Sequence, residues 1–169
     1  MGSAQEYNRR AWDRRALQQA RFTRPATDED LRDPLRKLDG SGWLGDVVGK
    51  RLLCLAAGGG RQSLMYAAAG ALVTVVDISE EMLAIDRYMA AQKGFDIAVV
   101  QASMDDLSIL DPASFDLVIH PVSTCYVPNI HLVYREVARG IVPGGIYVSQ
   151  HKQPTSLQAT VDVSPLGNY

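Results

Sequence analysis

An apolar run, Arg51-Leu52-Leu53-Cys54-Leu55, breaks directly into Ala56-Ala57-Gly58-Gly59-Gly60, and a second run, Leu72-Val73-Thr74-Val75-Val76, ends in Asp77, seventeen positions beyond Gly60. Runs without polar alternation suit strands covered on both faces, the pattern of a parallel sheet. Parallel neighbours need a long crossover, and the stretch between the two runs has room for a helix. The glycines permit a sharp turn that brings bare backbone N–H groups toward a ligand at the start of that helix. A chain with this opening is committed to an α/β architecture.

The same alternation continues downstream. Strands are expected at 51–55, 72–76, 97–101, 115–119 and 145–149, with helices at 61–69, 80–93 and 130–140 and a shorter one at 103–112. The expected fold is a Rossmann-like, doubly wound, mostly parallel sheet in three α/β/α layers. Ser79 is placed to cap the helix at 80–93, and Glu80 and Glu81 suit its positive end. Upstream, residues 4–20 read as a weakly amphipathic helix with Tyr7, Trp12 and Leu17 available for docking. Pro25, Pro34 and the acids Asp28, Glu29 and Asp30 mark a bent connection with one short helix. The chain divides into an N-terminal helical lid and connector (1–45), the α/β domain (46–152) and a tail (153–169).

A length of 169 residues points to one domain, and 47% hydrophobic residues suffice for a core. The net charge of −2 argues against a nucleic-acid or membrane surface as the main partner. Arg9, Arg10, Arg14, Arg15, Arg21 and Arg24 crowd the N-terminal segment, as a solvated helix surface or an anion contact. Cys54 and Cys125 lie in or beside apolar stretches, which suits buried reduced thiols, and neither has metal-ligand spacing. No run approaches a membrane span, and the arginine-rich start lacks a signal peptide's apolar core, so the expected location is the cytoplasm.

A carboxylate closing the second strand can accept both hydroxyls of a ribose, and with the preceding glycine turn this marks an adenosine-cofactor site. The spacing alone also fits a dinucleotide. A ligand-free tight turn is the plainer reading of Gly58 and Gly60, and a helix cap that of Asp77.

Four blocks in order resemble the class I S-adenosylmethionine-dependent methyltransferases. They are Leu53 to Gly60, Val75-Val76-Asp77-Ile78-Ser79-Glu80-Glu81-Met82-Leu83, Gln101 to Leu107, and Ser114 to Ile119 continuing through Val127-Pro128-Asn129 and Tyr134-Arg135-Glu136 to a Pro143-Gly144-Gly145 turn entering strand five. Tyr7-Asn8 and Trp12-Asp13 also look like the lid helix of that family. The resemblance implies S-adenosyl-L-methionine as cofactor, S-adenosyl-L-homocysteine as product, a small-molecule acceptor and no metal. It places Ala56, Gly58 and Gly60 against the ribose and methionine end, Asp77 with Ile78 and Met82 at the ribose, and Ser103 and Met104 at the adenine. A dinucleotide-dependent oxidoreductase and a non-catalytic cofactor-binding domain are the alternatives.

The chain departs from the family pattern in places. Cys54 stands where relatives often carry an acid, Ala56 replaces the first glycine, and Ser103 replaces a common aspartate. Carbonyls near Ala56 and Ile119 are then left to serve the methionine ammonium. His120-Pro121-Val122-Ser123 has neither the acidic or amide first residue nor the final aromatic of nucleobase amino-methyltransferases, which disfavours a nucleic-acid substrate. His120 and His151, each at a strand's carboxyl end, are the candidate general bases, and His120 also borders the cofactor. His131 reads as a surface residue, and Tyr126 as a cleft wall or core group. Trp12, Tyr7 and Arg24 are the lid residues expected to cover the cofactor. Relatives continue past strand five with another helix and two antiparallel strands. The chain therefore reads as lacking that C-terminal part, with an open sheet edge that invites edge-strand dimerisation.

Overall fold

The computed structural model describes residues 3–153. Its centre is a five-stranded, wholly parallel sheet of β1 (Arg51–Leu55), β2 (Leu72–Asp77), β3 (Ile97–Gln101), β4 (Phe115–His120) and β5 (Ile141–Ser149), in the spatial order β3-β2-β1-β4-β5. The order reverses beside β1, so the crevice at the carboxyl ends of β1 and β4 is the topological switch point of an open sheet.

Pleating sends alternate residues of each strand to opposite faces. Leu52, Cys54, Val73, Val75, Leu117 and Ile119 pack on one side with Tyr66 of α3 (Gln62–Ala68) and Leu83 of α4 (Glu80–Lys93). Leu53, Leu55, Val76, Phe115 and Val118 pack on the other with Val133 and Val137 of α5 (Ile130–Gly140). Each such side chain contributes about 1.5–3 kcal/mol by leaving water. That double coverage explains why the strands read as unbroken apolar runs. Ser79 caps α4 as its sequence suggests, accepting from the Met82 N–H at 3.2 Å.

Three expectations fail. Residues 103–112 form turns rather than a helix, because side chains capture the backbone groups a helix would use. Glu136 takes the Leu107 N–H at 3.1 Å, Arg139 takes the Leu107 and Leu110 carbonyls at 2.5 and 2.7 Å, and Asp106 takes the Ser108 N–H. Pro143-Gly144-Gly145 is not a turn entering the last strand but an irregularity inside β5: Phe115 faces Ile141 while Leu117 already faces Ile146. Proline and glycine are tolerated there because a bulge needs no regular ladder bond. Cys125 is exposed, because the 3-10 turn Thr124–Tyr126 that carries it lies above the core, whereas Cys54 is buried as expected.

The lid helix α1 (Ala4–Leu17) and the short α2 (Pro34–Leu38) precede the sheet. The face of α1 carrying Gln5, Asn8, Trp12 and Asp13 touches the domain. Gln5 Nε2 donates to Asp105 at 3.1 Å, Asn8 Nδ2 to the Tyr126 carbonyl at 2.6 Å, and the Trp12 ring meets Tyr126 edge to face at 5.9 Å. Tyr7 falls on the opposite side of the helix and is 75% exposed, and Arg24 is also exposed, so of the three expected lid residues only Trp12 makes a covering contact. Arg9 and Arg10 pair with Glu6, and Arg9 also reaches Asp13 at 3.3 Å. Among the described residues no helix is long and apolar enough to cross a membrane. The tail from 154 to 169 lies outside the described residues.

Candidate active site

The glycine turn and Asp77 meet at the carboxyl ends of β1 and β2. Ala56 takes a left-handed φ of 49°. Gly58 has no room for a side chain: an added Cβ would lie 2.9 Å from Met82 Cβ and 3.0 Å from Asp77 Cβ. Close approach of the turn to β2 and α4 is therefore what demands glycine at this position.

The N–H groups of this turn point inward rather than toward a ligand, against the expectation from sequence. Gly58 N–H donates to Asp77 Oδ2 at 3.0 Å, and Gly59 N–H donates to Asp86 Oδ2 at 2.7 Å and more weakly to the Met82 carbonyl at 3.2 Å. The Gly60 carbonyl accepts from Ala26 N–H at 3.0 Å, so the connector after α1 lies across the turn.

Asp77 is buried, and its second oxygen accepts from Ser79 N–H at 2.9 Å. Burial raises its pKa, the N–H groups of Ser79, Gly58 and Ile78 pull it back, and Asp13 adds a further upward push. Asp13 comes from α1: its Oδ1 accepts from Ser79 Oγ at 2.7 Å, at the positive end of α4. The lid thus closes onto the same helix start that holds Asp77.

The remaining candidates spread along the rim. Ile78 gives its carbonyl to Gln101 Nε2 at 3.1 Å, and Met82 packs beneath the glycine turn with its Cε 2.8 Å from where a Gly59 Cβ would stand. Ser103 Oγ donates to Asp105, the residue Gln5 also reaches, so a lid residue and the candidate adenine side share one carboxylate. Met104 is buried in the cluster with Leu53 and Leu55.

His120 ends β4, wholly buried, with Nδ1 2.8 Å from the Tyr147 hydroxyl of β5 and the two rings stacked. Among the described residues its Nε2 has no hydrogen-bond partner. Burial, with His151 nearby, lowers its pKa to about 4, so the ring is neutral at physiological pH. His151 is exposed, its Nδ1 3.1 Å from Thr124 Oγ1. The structure brings these two histidines to one corner and leaves His131 exposed at the start of α5. An open depression of about 470 Å³ lined by Arg51, Thr74, Asp96, Asp111 and Phe115 lies at the amino ends of the strands, the wrong end for a ligand of this fold. No group of three or more His, Cys, Asp or Glu side chains among the described residues is placed to hold a metal.

Sequence reasoning missed Asp86 and Tyr147. Asp86 carried a readable signal, an acid four residues after Met82 on the buried stripe of α4. Tyr147 carried none, since its meeting with His120 depends on the β4–β5 register.

Comparison with known proteins bears on this arrangement. A family model described as a methyltransferase domain matches residues 53–149. The uncharacterized methyltransferase YbaJ of Bacillus subtilis (strain 168) is 35% identical over 164 residues, covering 91% of this chain and 64% of its own. The ubiquinone biosynthesis O-methyltransferase of Idiomarina loihiensis is 34% identical over 99 residues, 59% of this chain and 41% of its own. An S-adenosylmethionine dependent methyltransferase structure from Mesorhizobium loti, 30% identical, superposes with a TM-score of 0.58 over 69% of this chain and 53% of its own. The PH0226 structure from Pyrococcus horikoshii OT3, at 24% identity, shares the fold with a TM-score of 0.66 over 78% of this chain and 62% of its own. The chain spans less than two thirds of the length of these relatives. The match runs from β1 through β5, and the chain belongs to the methyltransferase-domain family.

Proposed function

We propose that this protein binds S-adenosyl-L-methionine at the carboxyl ends of β1 and β2 and passes its methyl group to a small-molecule acceptor, releasing S-adenosyl-L-homocysteine. The observation that carries the reading is the buried Asp77 carboxylate, held against the glycine turn at the end of β2 and closed over by α1. Each Asp77 oxygen receives one of the backbone bonds described above, from Gly58 and Ser79, and keeps lone pairs for two ribose hydroxyls.

The cofactor, when bound, supplies an electrophilic sulfonium methyl. The chain's own part is to hold and orient. The backbone of Ala56, Gly58 and Gly60 lines the ribose and methionine end, Ile78 and Met82 flank the ribose, and Ser103 and Met104 border the adenine. Residues 1–45 act as lid and connector and 46–152 as the cofactor domain. Holding two reactants in line contributes up to about 7–11 kcal/mol, so positioning can do most of the work. His120 is the group we assign to the acceptor's proton. Its ring is neutral, Tyr147 fixes one nitrogen, and the other is buried without a partner among the described residues. His151 stands at the exposed side of the same corner as a second base. The likeness to ubiquinone biosynthesis O-methyltransferases supports a small acceptor with a dissociable hydroxyl.

Calorimetric titration with S-adenosyl-L-homocysteine, with NAD as control, tests the reading. Micromolar binding that disappears in Asp77→Ala is expected. No binding by the native chain, or NAD binding in its place, overturns it.

A further inference from the structure

The buried face of α4 consists of Met82, Leu83, Asp86 and Ala90. Three are apolar and the fourth is a carboxylate with no exposed surface. An acid in that place costs several kcal/mol when ionised unless its oxygens are well served. Asp86 Oδ2 accepts from Gly59 N–H at 2.7 Å, and Oδ1 accepts a short bond from Ser63 Oγ of α3. No salt bridge reaches it among the described residues: Arg87, next on the helix, is paired with Glu80 at 2.6 Å. The other ionisable groups facing it are Asp77 from β2 and the Cys54 thiol from β1. A leucine or methionine would fill the space without these demands, so the position favours an acid for its bonds to the turn.

We propose that Asp86 is a positioning residue for cofactor binding: its carboxylate clamps the glycine turn from below, through Gly59 N–H, and ties it to α3 through Ser63. Asp77 holds Gly58 from one side and Asp86 holds Gly59 from the other, so the two carboxylates together fix the shape of residues 58–60. The inference rests on the turn being the cofactor site. A charged acceptor makes a bond roughly twice as strong as a neutral one, so the clamp is tightest when Asp86 is ionised. Protonation loosens the clamp without removing it, because a carboxyl O–H can donate to Ser63 Oγ while the carbonyl oxygen still accepts from Gly59.

Asp86→Asn mimics that protonated state at constant shape. Calorimetric titration of the full chain with S-adenosyl-L-homocysteine at pH 8 and pH 5.5 compares native protein, Asp86→Asn and Ser63→Ala, with circular dichroism and melting recorded for each. The expected result is an affinity loss of about tenfold for Asp86→Asn at pH 8, one charge-assisted bond's worth, in a protein that melts no lower than the native one. Native affinity should fall between pH 8 and 5.5, and part of that fall should be absent from Asp86→Asn. Ser63→Ala should lose less in the same direction. Native-like affinity of folded Asp86→Asn at pH 8, or an unchanged pH dependence, overturns the proposal. Failure of the native chain to bind at pH 8 would instead remove the cofactor reading on which the proposal stands.

Discussion

Asp86→Asn should make the protein more stable at pH 8 and leave its stability unchanged near pH 4. Burial, partly offset by the bonds from Ser63 and Gly59 and reinforced by Asp77, raises this carboxyl from its ordinary 3.8 to about 6. A folded-state pKa above the unfolded one means that folding takes up a proton. The stabilisation from the protonated form is fully present below the unfolded value and is lost as pH rises through about 6. Converting the gap at about 1.4 kcal/mol per tenfold change gives a cost of about 3 kcal/mol at pH 8. Asparagine is uncharged throughout and avoids it. Urea unfolding at pH 8, 6.5, 5 and 4 measures the difference directly, and titrating groups that do not interact with Asp86 cancel between the two proteins. At about 2–4 °C per kcal/mol for a chain of this size, the melting temperatures should differ by about 6–12 °C at pH 8. A difference that stays flat from pH 8 to pH 4, or an asparagine variant that is the less stable at pH 8 alone, would refute the picture of a buried, ionised acid under the turn.

Gly58→Ala should cost about 1–3 kcal/mol and weaken S-adenosyl-L-homocysteine binding, because the new methyl meets Met82 Cβ and Asp77 Cβ, which cannot swing aside; native-like melting would contradict this. Ala56→Gly removes left-handed strain of about 1–2 kcal/mol against an entropic cost of about 0.5–1 kcal/mol, so denaturant titration should find equal or slightly higher stability, and a clear loss would show that φ 49° is not strained here. Deleting residues 1–24 removes the Asp13, Gln5 and Asn8 contacts and should lower S-adenosyl-L-homocysteine affinity on the order of tenfold, as expected of a lid. Unchanged affinity would sink the lid assignment. The His120 ring should titrate at about 4 when followed by its NMR ring-proton shifts, and a midpoint at the ordinary 6.5 would mean that the ring is not buried as described.

Much of this protein was legible before folding was considered. The central strands β1 and β2 lie where unbroken apolar runs predict them, because a strand buried on both faces is apolar at nearly every position, whereas β5 starts four residues before its expected 145–149. Ser79 caps α4 as read, because capping is decided by residues a few positions apart. What the sequence could not announce depends on partners distant in the chain. Residues 103–112 carry a helical pattern, yet Glu136 and Arg139, from a helix nearly thirty residues on, take their backbone groups. The turn's N–H groups look free for a ligand until α4 brings Asp86 beneath Gly59, twenty-seven positions away. Tyr147 meets His120 only through the register that the irregularity in β5 establishes. Local bonding and burial pattern are written in adjacent residues and fix the elements; which carboxylate, hydroxyl or ring finally serves each buried polar group is settled when those elements pack, because only then do the competing partners come within reach.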